Sequence, residues 1–239
     1  MNTEKIIKNN VKMIAHRGVS GLEKENTVAA FVAAGNRSYF GIETDVHCTA
    51  DGKFIVIHDD TTTRVTGIEK TVEETDFDTL RAMKIIDLDG KSTRGDLCMP
   101  TLEEYVGICK KYEKIAVLEL KRPMTEESVF AIVDTIDKLE YLDSTVFISF
   151  AFDNLVYIRK KSPKQKVQFL FNEFSDEIID RVKEHGFDVD VRYTALTREI
   201  IDALHADGIE INCWTVNKKE DAERLVSWGV DYITTNILE

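Results

Sequence analysis

The sequence predicts an α/β fold, a (β/α)₈ barrel of the TIM type. Short β-rich runs alternate with amphipathic helical segments, and eight of those runs can pair in parallel. The length of 239 residues suits one such barrel, since barrels of this kind commonly need about 250 residues. The same alternation is also compatible with an open doubly wound sheet.

Lys12–Ala15 reads as the first strand, followed by a helix near Asn26–Gly35 with Asn26 as its N-cap and Val28, Phe31 and Val32 on its apolar face. Phe40–Thr49 is the second strand. Asp51-Gly52 signals a two-residue turn, so Phe54–His58 should fold back as an antiparallel hairpin strand. Residues 60–99 are polar and irregular, with a short helix near Asp76–Met83, and read as a small lobe inserted over the barrel mouth. Alternation then resumes. Helices are predicted at Leu102–Tyr112, Thr125–Leu139, Asn154–Lys160, Asp176–His185, Arg198–Ala206 and Lys219–Trp228. Strands at Ile115–Leu120, Val146–Phe150, Val167–Phe171, Asp188–Arg192, Ile209–Val216 and Tyr232–Thr234 complete the set of eight. The whole chain, 1–239, reads as one barrel domain with 60–99 on its rim.

A net charge of −12 argues against nucleic acid and against an anionic membrane surface as partners. No apolar run approaches the roughly 18 residues of a membrane helix, so stable membrane insertion is not expected. Met1–Asn10 has no apolar core of the kind a secretory leader carries, which points to a cytoplasmic protein. Cys48, Cys98, Cys109 and Cys213 form no C-x-x-C pair and are expected to be reduced and mostly buried.

Chemistry in a barrel gathers at the carboxyl ends of its strands. The first strand runs directly into His16, Arg17 and Gly18, and the second carries Glu43 and Asp45. The third barrel strand places Glu119 and Lys121 on one face, because strand side chains alternate. Trp214 closes the seventh. A two-residue hairpin turn pairs Ala50 with Lys53 and sets Asp45 opposite His58, at a Cβ separation of about 4.5–5.5 Å. A loop one residue longer would turn His58 to the other face.

Glu43, Asp45 and Glu119 converging in a barrel mouth would repel unless something positive lies among them. An all-oxygen donor set selects a hard cation, Mg²⁺ or Ca²⁺, over zinc. Ordinary buried ion pairs with Lys121 or Arg17 are the other reading. Two flanking histidines suit general acid–base chemistry near neutral pH. His185 and His205 sit late in helices and read as structural, His47 shares the face of Glu43 and Asp45 and reads equally as a residue supporting the site or its rim and as one with no role there, and Glu25 and Asn26 read as shaping the first helix.

These residues fall into an ordered set of motifs: His16-Arg17-Gly18, Glu25-Asn26-Thr27, Gly41-Ile42-Glu43-Thr44-Asp45-Val46, Asp51-Gly52 and His58-Asp59. Arg64 with Gly67, Pro100-Thr101-Leu102-Glu103-Glu104, Glu119-Leu120-Lys121, Trp214-Thr215-Val216-Asn217 and Thr234-Thr235-Asn236 follow. From about residue 12 onward the chain resembles the glycerophosphodiester phosphodiesterase family. The resemblance implies a TIM barrel with one divalent metal ion on Glu43, Asp45 and Glu119, and with His16 and His58 as general acid and base. It implies phosphate binding by Arg17 and Lys121, and packing of Trp214 against the substrate. The implied reaction is metal-dependent hydrolysis of a glycerophosphodiester to glycerol 3-phosphate and an alcohol. Three departures touch the rim: Lys24 stands where a proline is usual, Thr62 replaces an apolar residue, and an aromatic pair before Pro100 is missing. The alternatives are a related enzyme acting on lysophospholipids or inositol phosphodiesters, and a non-catalytic barrel used as a binding module. A degenerate binding barrel would be expected to lose a histidine or a carboxylate, and this chain keeps them all.

Overall fold

The computed structural model describes residues 2–239. In chain order its strands are β1 (Lys12–Ala15), β2 (Gly41–Cys48), β3 (Phe54–Val56), β4 (Lys84–Ile86), β5 (Thr93–Cys98) and β6 (Ile115–Leu120). They continue with β7 (Thr145–Ser149), β8 (Val167–Phe171), β9 (Asp188–Arg192), β10 (Ile211–Trp214) and β11 (Tyr232–Thr235). The helices are α1 (Val28–Gly35), α2 (Thr63–Thr66), α3 (Phe77–Ala82), α4 (Leu102–Lys111) and α5 (Glu126–Lys138). They end with α6 (Phe152–Lys161), α7 (Asp176–His185), α8 (Arg198–Ala206) and α9 (Lys219–Trp228).

β1 pairs in parallel with β2 on one side and β11 on the other. With β6 to β10 between them, that closes eight parallel strands into a barrel. Closure explains the composition of the strands. Each is covered outside by helices and inside by its neighbours, so β7 and β8 are buried at every position. Ile14, Val117, Val146, Ile148, Leu170 and Tyr232 fill the interior, and the larger apolar core lies between strands and helices.

Five helices, α1, α4, α5, α7 and α8, begin on hydroxyl caps at Thr27, Thr101, Thr125, Ser175 and Thr197. Thr101 and Glu104 form a reciprocal capping box, a cap whose loss typically costs about 1 kcal/mol. The expected cap of α1, Asn26, is displaced by its neighbour. Thr27 Oγ1 accepts from the Ala30 amide at 3.2 Å, while Asn26 turns into the left-handed region at φ 52°. Its side chain is spent elsewhere, on the second strand.

The hairpin differs from the expected one by one residue. Thr49 donates its amide to the Lys53 carbonyl at 2.8 Å, and Gly52 sits at φ +73°. The loop is therefore three residues, Ala50-Asp51-Gly52, a turn closed by a left-handed glycine. Val46 pairs with Val56, and the Ile57 amide reaches the Asp45 carbonyl at 3.2 Å, so His58 does not stand opposite Asp45. The shift does not carry His58 away from the mouth. β3 ends at Val56, strict alternation ends with it, and residues 58–60 bend across the barrel opening.

After His58 the chain builds a lobe from α2, a 3₁₀ turn at Val72–Glu74, α3 and the β4–β5 hairpin. Its apolar side chains are spaced singly along the sequence but gather in space. Val65, Val72, Leu80, Ile85, Leu97 and Met99 pack with Ile55 and Ile57 into a cluster separate from the barrel core. No helix among the described residues is long and apolar enough to cross a membrane.

Candidate active site

The site begins where β1 stops. Arg17 at φ 53° and Gly18 at φ 74° reverse the chain, so that the Arg17 amide points at Glu43 Oε2, 2.7 Å away. A side chain at Gly18 is sterically barred, because its Cβ would lie 2.6 Å from the Ala30 carbonyl carbon.

Glu43, Asp45 and Glu119 are buried and offer ligand oxygens that all lie within 4.8 Å of one another. Asp45 on β2 and Glu119 on β6 are register partners. Asn26 Nδ2 donates to Asp45 Oδ2 at 2.8 Å, and Asn26 Oδ1 accepts from Thr44 Oγ1 at 2.7 Å. Asp45 Oδ1 has no hydrogen-bond partner. Lys121 Nζ lies 2.7 Å from Glu119 Oε1 and 3.4 Å from Asp45 Oδ1. Burial, the neighbouring Asp45 charge and Glu119 push the Glu43 carboxyl well up, with Arg17 opposing. Burial and Asp45 push Glu119 up to about 8 against the pull of Lys121. Burial also works against charge on Asp45, but Lys121, Arg17 and His58 outweigh it and hold this carboxyl well below its usual range. Three close carboxyls that resist joint ionisation, one with an oxygen that accepts no hydrogen bond, fit a hard divalent cation.

His16 Nδ1 is 2.6 Å from Asn236 Oδ1, and His58 Nδ1 is 2.7 Å from Asp59 Oδ1. Both partners are acceptors, so each Nδ1 carries its proton and each Nε2 is left free. Burial, then the charge of Arg17, pushes His16 down to about 4. Burial lowers His58 as well, while Asp45 and Asp59 oppose that shift.

Asp59 is itself held. Arg64 donates Nε to Asp59 Oδ2 at 2.6 Å and grips both oxygens of Glu25 at 2.8 and 2.9 Å. Glu25 in turn accepts from Arg17 Nη1 at 2.9 Å. An ionic chain thus runs from Arg17 through Glu25, Arg64 and Asp59 to His58, tying the lobe helix α2 to the barrel. Glu25 and Asn26 therefore contact site residues directly instead of only shaping α1. Buried His47 joins barrel and lobe, with Nε2 3.4 Å from the His58 carbonyl oxygen and Nδ1 3.5 Å from Glu73. His185 and His205 lie away from the mouth, bonded to the Arg181 carbonyl and to Asp231.

His16, Arg17, Glu43, His58, Glu119 and Trp214 line one cavity of about 100 Å³, with Ile148, Phe150, Leu170, Asp190 and Thr234 on its other walls. Lys121 and Asp45 lie beside it through their contacts to Glu119 and Arg17. Trp214 stacks edge-on against Phe150 at 5.8 Å between centroids. Asp190, Asp59 and Asn236 were not singled out from the sequence. Asp59 and Asn236 carry a sequence signal in the His58-Asp59 and Thr234-Thr235-Asn236 motifs, while Asp190 carries no local signal.

Comparison with known proteins agrees with this architecture. Residues 16–239 match the model of the glycerophosphoryl diester phosphodiesterase family. A glycerophosphodiester phosphodiesterase of Caldanaerobacter subterraneus is 30% identical over 233 residues, 94% of this chain and 93% of the relative. A solved glycerophosphodiester phosphodiesterase from Parabacteroides distasonis superposes with a TM-score of 0.78 at 28% identity, covering 96% of this chain and 94% of the other. An Oleispira antarctica phosphodiesterase, solved with the product sn-glycerol-3-phosphate, shares the fold with a TM-score of 0.82 at 22% identity, over 94% and 92% of the two chains. With a closed parallel barrel, a buried acidic cluster at its mouth and a family match along nearly its whole length, the chain belongs to the glycerophosphoryl diester phosphodiesterase family.

Proposed function

We propose that the protein hydrolyses glycerophosphodiesters to glycerol 3-phosphate and an alcohol, using a divalent cation held by Glu43, Asp45 and Glu119. The observation that carries this reading is the convergence of three buried carboxylates on a cavity lined by His16 and His58. When bound, Mg²⁺ or Ca²⁺ would supply Lewis-acid stabilisation at a non-bridging phosphoryl oxygen.

The protein's own groups do the rest. Arg17 Nε is buried without a hydrogen-bond partner and is available to a phosphate oxygen, with Lys121 adding a point charge. His16, pushed down to about 4, is neutral at pH 7, and its free Nε2 takes the proton of the attacking hydroxyl as that hydroxyl's oxygen forms a new bond to phosphorus. The bond from phosphorus to the alcohol oxygen breaks, and that oxygen receives a proton from His58, whose protonated form Asp59 supports. Water supplies the hydroxyl and hydrogen that appear in the two products. Trp214 and Phe150 form an apolar wall beside the ester substituents. The cytoplasmic location read from the sequence belongs to the same proposal.

A coupled assay for released glycerol 3-phosphate, with glycerophosphoethanolamine as substrate, tests the reading. Release at an enzymatic rate supports it, and absence of release under all divalent-metal conditions contradicts it. Phe150, 45% exposed at the mouth, favours a second reading in which lysophospholipids are also accepted. Comparing kcat/KM for lysolipids and glycerophosphoethanolamine decides between them.

A further inference from the structure

One polar group in the cavity has no part in the reaction above. Asp190 stands on β9, is 1% exposed, and its Oδ1 has no hydrogen-bond partner. The neutral polar side chains around it are satisfied. Asn212 Nδ2 donates to Gln168 Oε1 at 3.2 Å, and Thr234 Oγ1 donates to Asn212 Oδ1 at 3.1 Å. The Trp214 indole donates at 3.4 Å to the Asp190 carbonyl and does not engage its carboxyl. Register places Asp190 between Leu170 and Asn212, on a cavity wall that is otherwise formed largely by Ile148, Phe150, Leu170 and Trp214. Leaving such a group unpaired is destabilising, because its desolvation goes uncompensated. The free protein carries that cost unless something entering the cavity pairs with the carboxyl.

We infer that Asp190 receives a hydroxyl of the substrate's glycerol unit, and so selects a polyol phosphate over one bearing an apolar ester group. This rests on the hydrolase reading above. The phosphate is drawn to the cations Arg17 and Lys121, and an acidic side chain repels it, so Asp190 meets an ester substituent instead of a phosphate oxygen. Asp190 is almost wholly buried on the cavity wall. Glycerol is the constant part of the substrate class. A hydroxyl both donates and accepts, so it pairs with a carboxyl in either protonation form. Asp190 is thus a specificity residue for the glycerol unit.

The test measures binding of sn-glycerol 3-phosphate and of propyl phosphate, which has the same carbon skeleton without hydroxyls, by calorimetry with Mg²⁺ present. The wild type should prefer glycerol 3-phosphate. D190A should lose about 10- to 100-fold of that preference, the usual worth of one hydrogen bond to a charged group. D190N, isosteric and still able to hydrogen-bond, should fall between the two. The Tm of D190A should stay level or rise, because an unpaired buried group is removed. An unchanged preference in both variants overturns the inference, as does an equal loss for both ligands. Wild-type enzyme that releases no glycerol 3-phosphate removes the hydrolase reading and this inference with it. Release by the wild type with an unaltered preference in D190A removes the inference alone.

Discussion

The Lys121 ammonium spans Glu119 and Asp45, 2.7 Å from Oε1 of the first and 3.4 Å from Oδ1 of the second. Ion pairing and metal binding were alternative readings of these carboxylates, and the geometry accommodates both. One ammonium neutralises only part of three carboxyls, and Glu43 receives only the Arg17 amide and distant charge. A cation at the cluster would compete with Lys121 for the same oxygens. Its ammonium would then be released toward a phosphate, which links cation binding to substrate binding.

The two histidines should separate by leaving group. His16→Ala and His58→Ala should each lower kcat on glycerophosphoethanolamine by about 10²–10⁴-fold, the usual scale for one acid–base group. A p-nitrophenyl ester leaves without protonation, so His58→Ala should recover much of its loss on that substrate while His16→Ala does not. Recovery by His16→Ala alone would reverse the assigned roles.

The ionic chain to His58 should make the fold sensitive to acid. Hydrogen bonds from Arg64 and the charge of Arg17 overcome burial and hold Glu25 at about 2, and Arg64 and His58 do the same for Asp59. Both values lie below those of the unfolded chain, near 4. The stabilisation is therefore complete above about pH 4–5 and is lost as pH falls toward 2. Melting curves between pH 5 and pH 2 should fall less steeply for Arg64→Met than for the wild type. Parallel curves would show that the network contributes nothing.

Gly18 and Gly52 offer a matched steric comparison. Both have φ near +74°, but a Cβ at Gly18 meets Ala30 at 2.6 Å and one at Gly52 meets nothing within 4 Å. Gly18→Ala should cost about 2–4 kcal/mol from clash and backbone strain together, and Gly52→Ala about 1 kcal/mol from strain alone. Thermal melts report this at roughly 2–4 °C per kcal/mol. Equal shifts would contradict the close approach of α1 to the Arg17–Gly18 turn.

The strands were the most legible part of the chain. β1, β6, β8 and β9 end where their residue patterns place them, because the first three are short apolar-rich runs and β9 alternates valine with polar residues. The hairpin was not, since Asp51-Gly52 serves a two-residue loop as well as a three-residue loop with Gly52 last. Tertiary packing, not the dipeptide, decides between them. Asn26 and Thr27 are both good caps, and the choice falls to Thr27 because Asp45 and Thr44 claim the Asn26 amide. The lobe cluster was hidden because its apolar residues are spaced singly. Asp190 reads locally as one of two aspartates on an alternating strand. Nothing within Asp188–Arg192 states which face enters the barrel, or that the carboxyl will find no partner there.

The central claim is a divalent cation on Glu43, Asp45 and Glu119, acting on a glycerophosphodiester. Its most direct test is glycerol 3-phosphate release by EDTA-treated protein, titrated with Mg²⁺ or Ca²⁺ and compared with Asp45→Asn. The account predicts loss of activity on chelation, saturable recovery in the wild type, and recovery in the variant only at much higher metal concentration. Full activity in EDTA, or identical metal titrations for the two proteins, would contradict it.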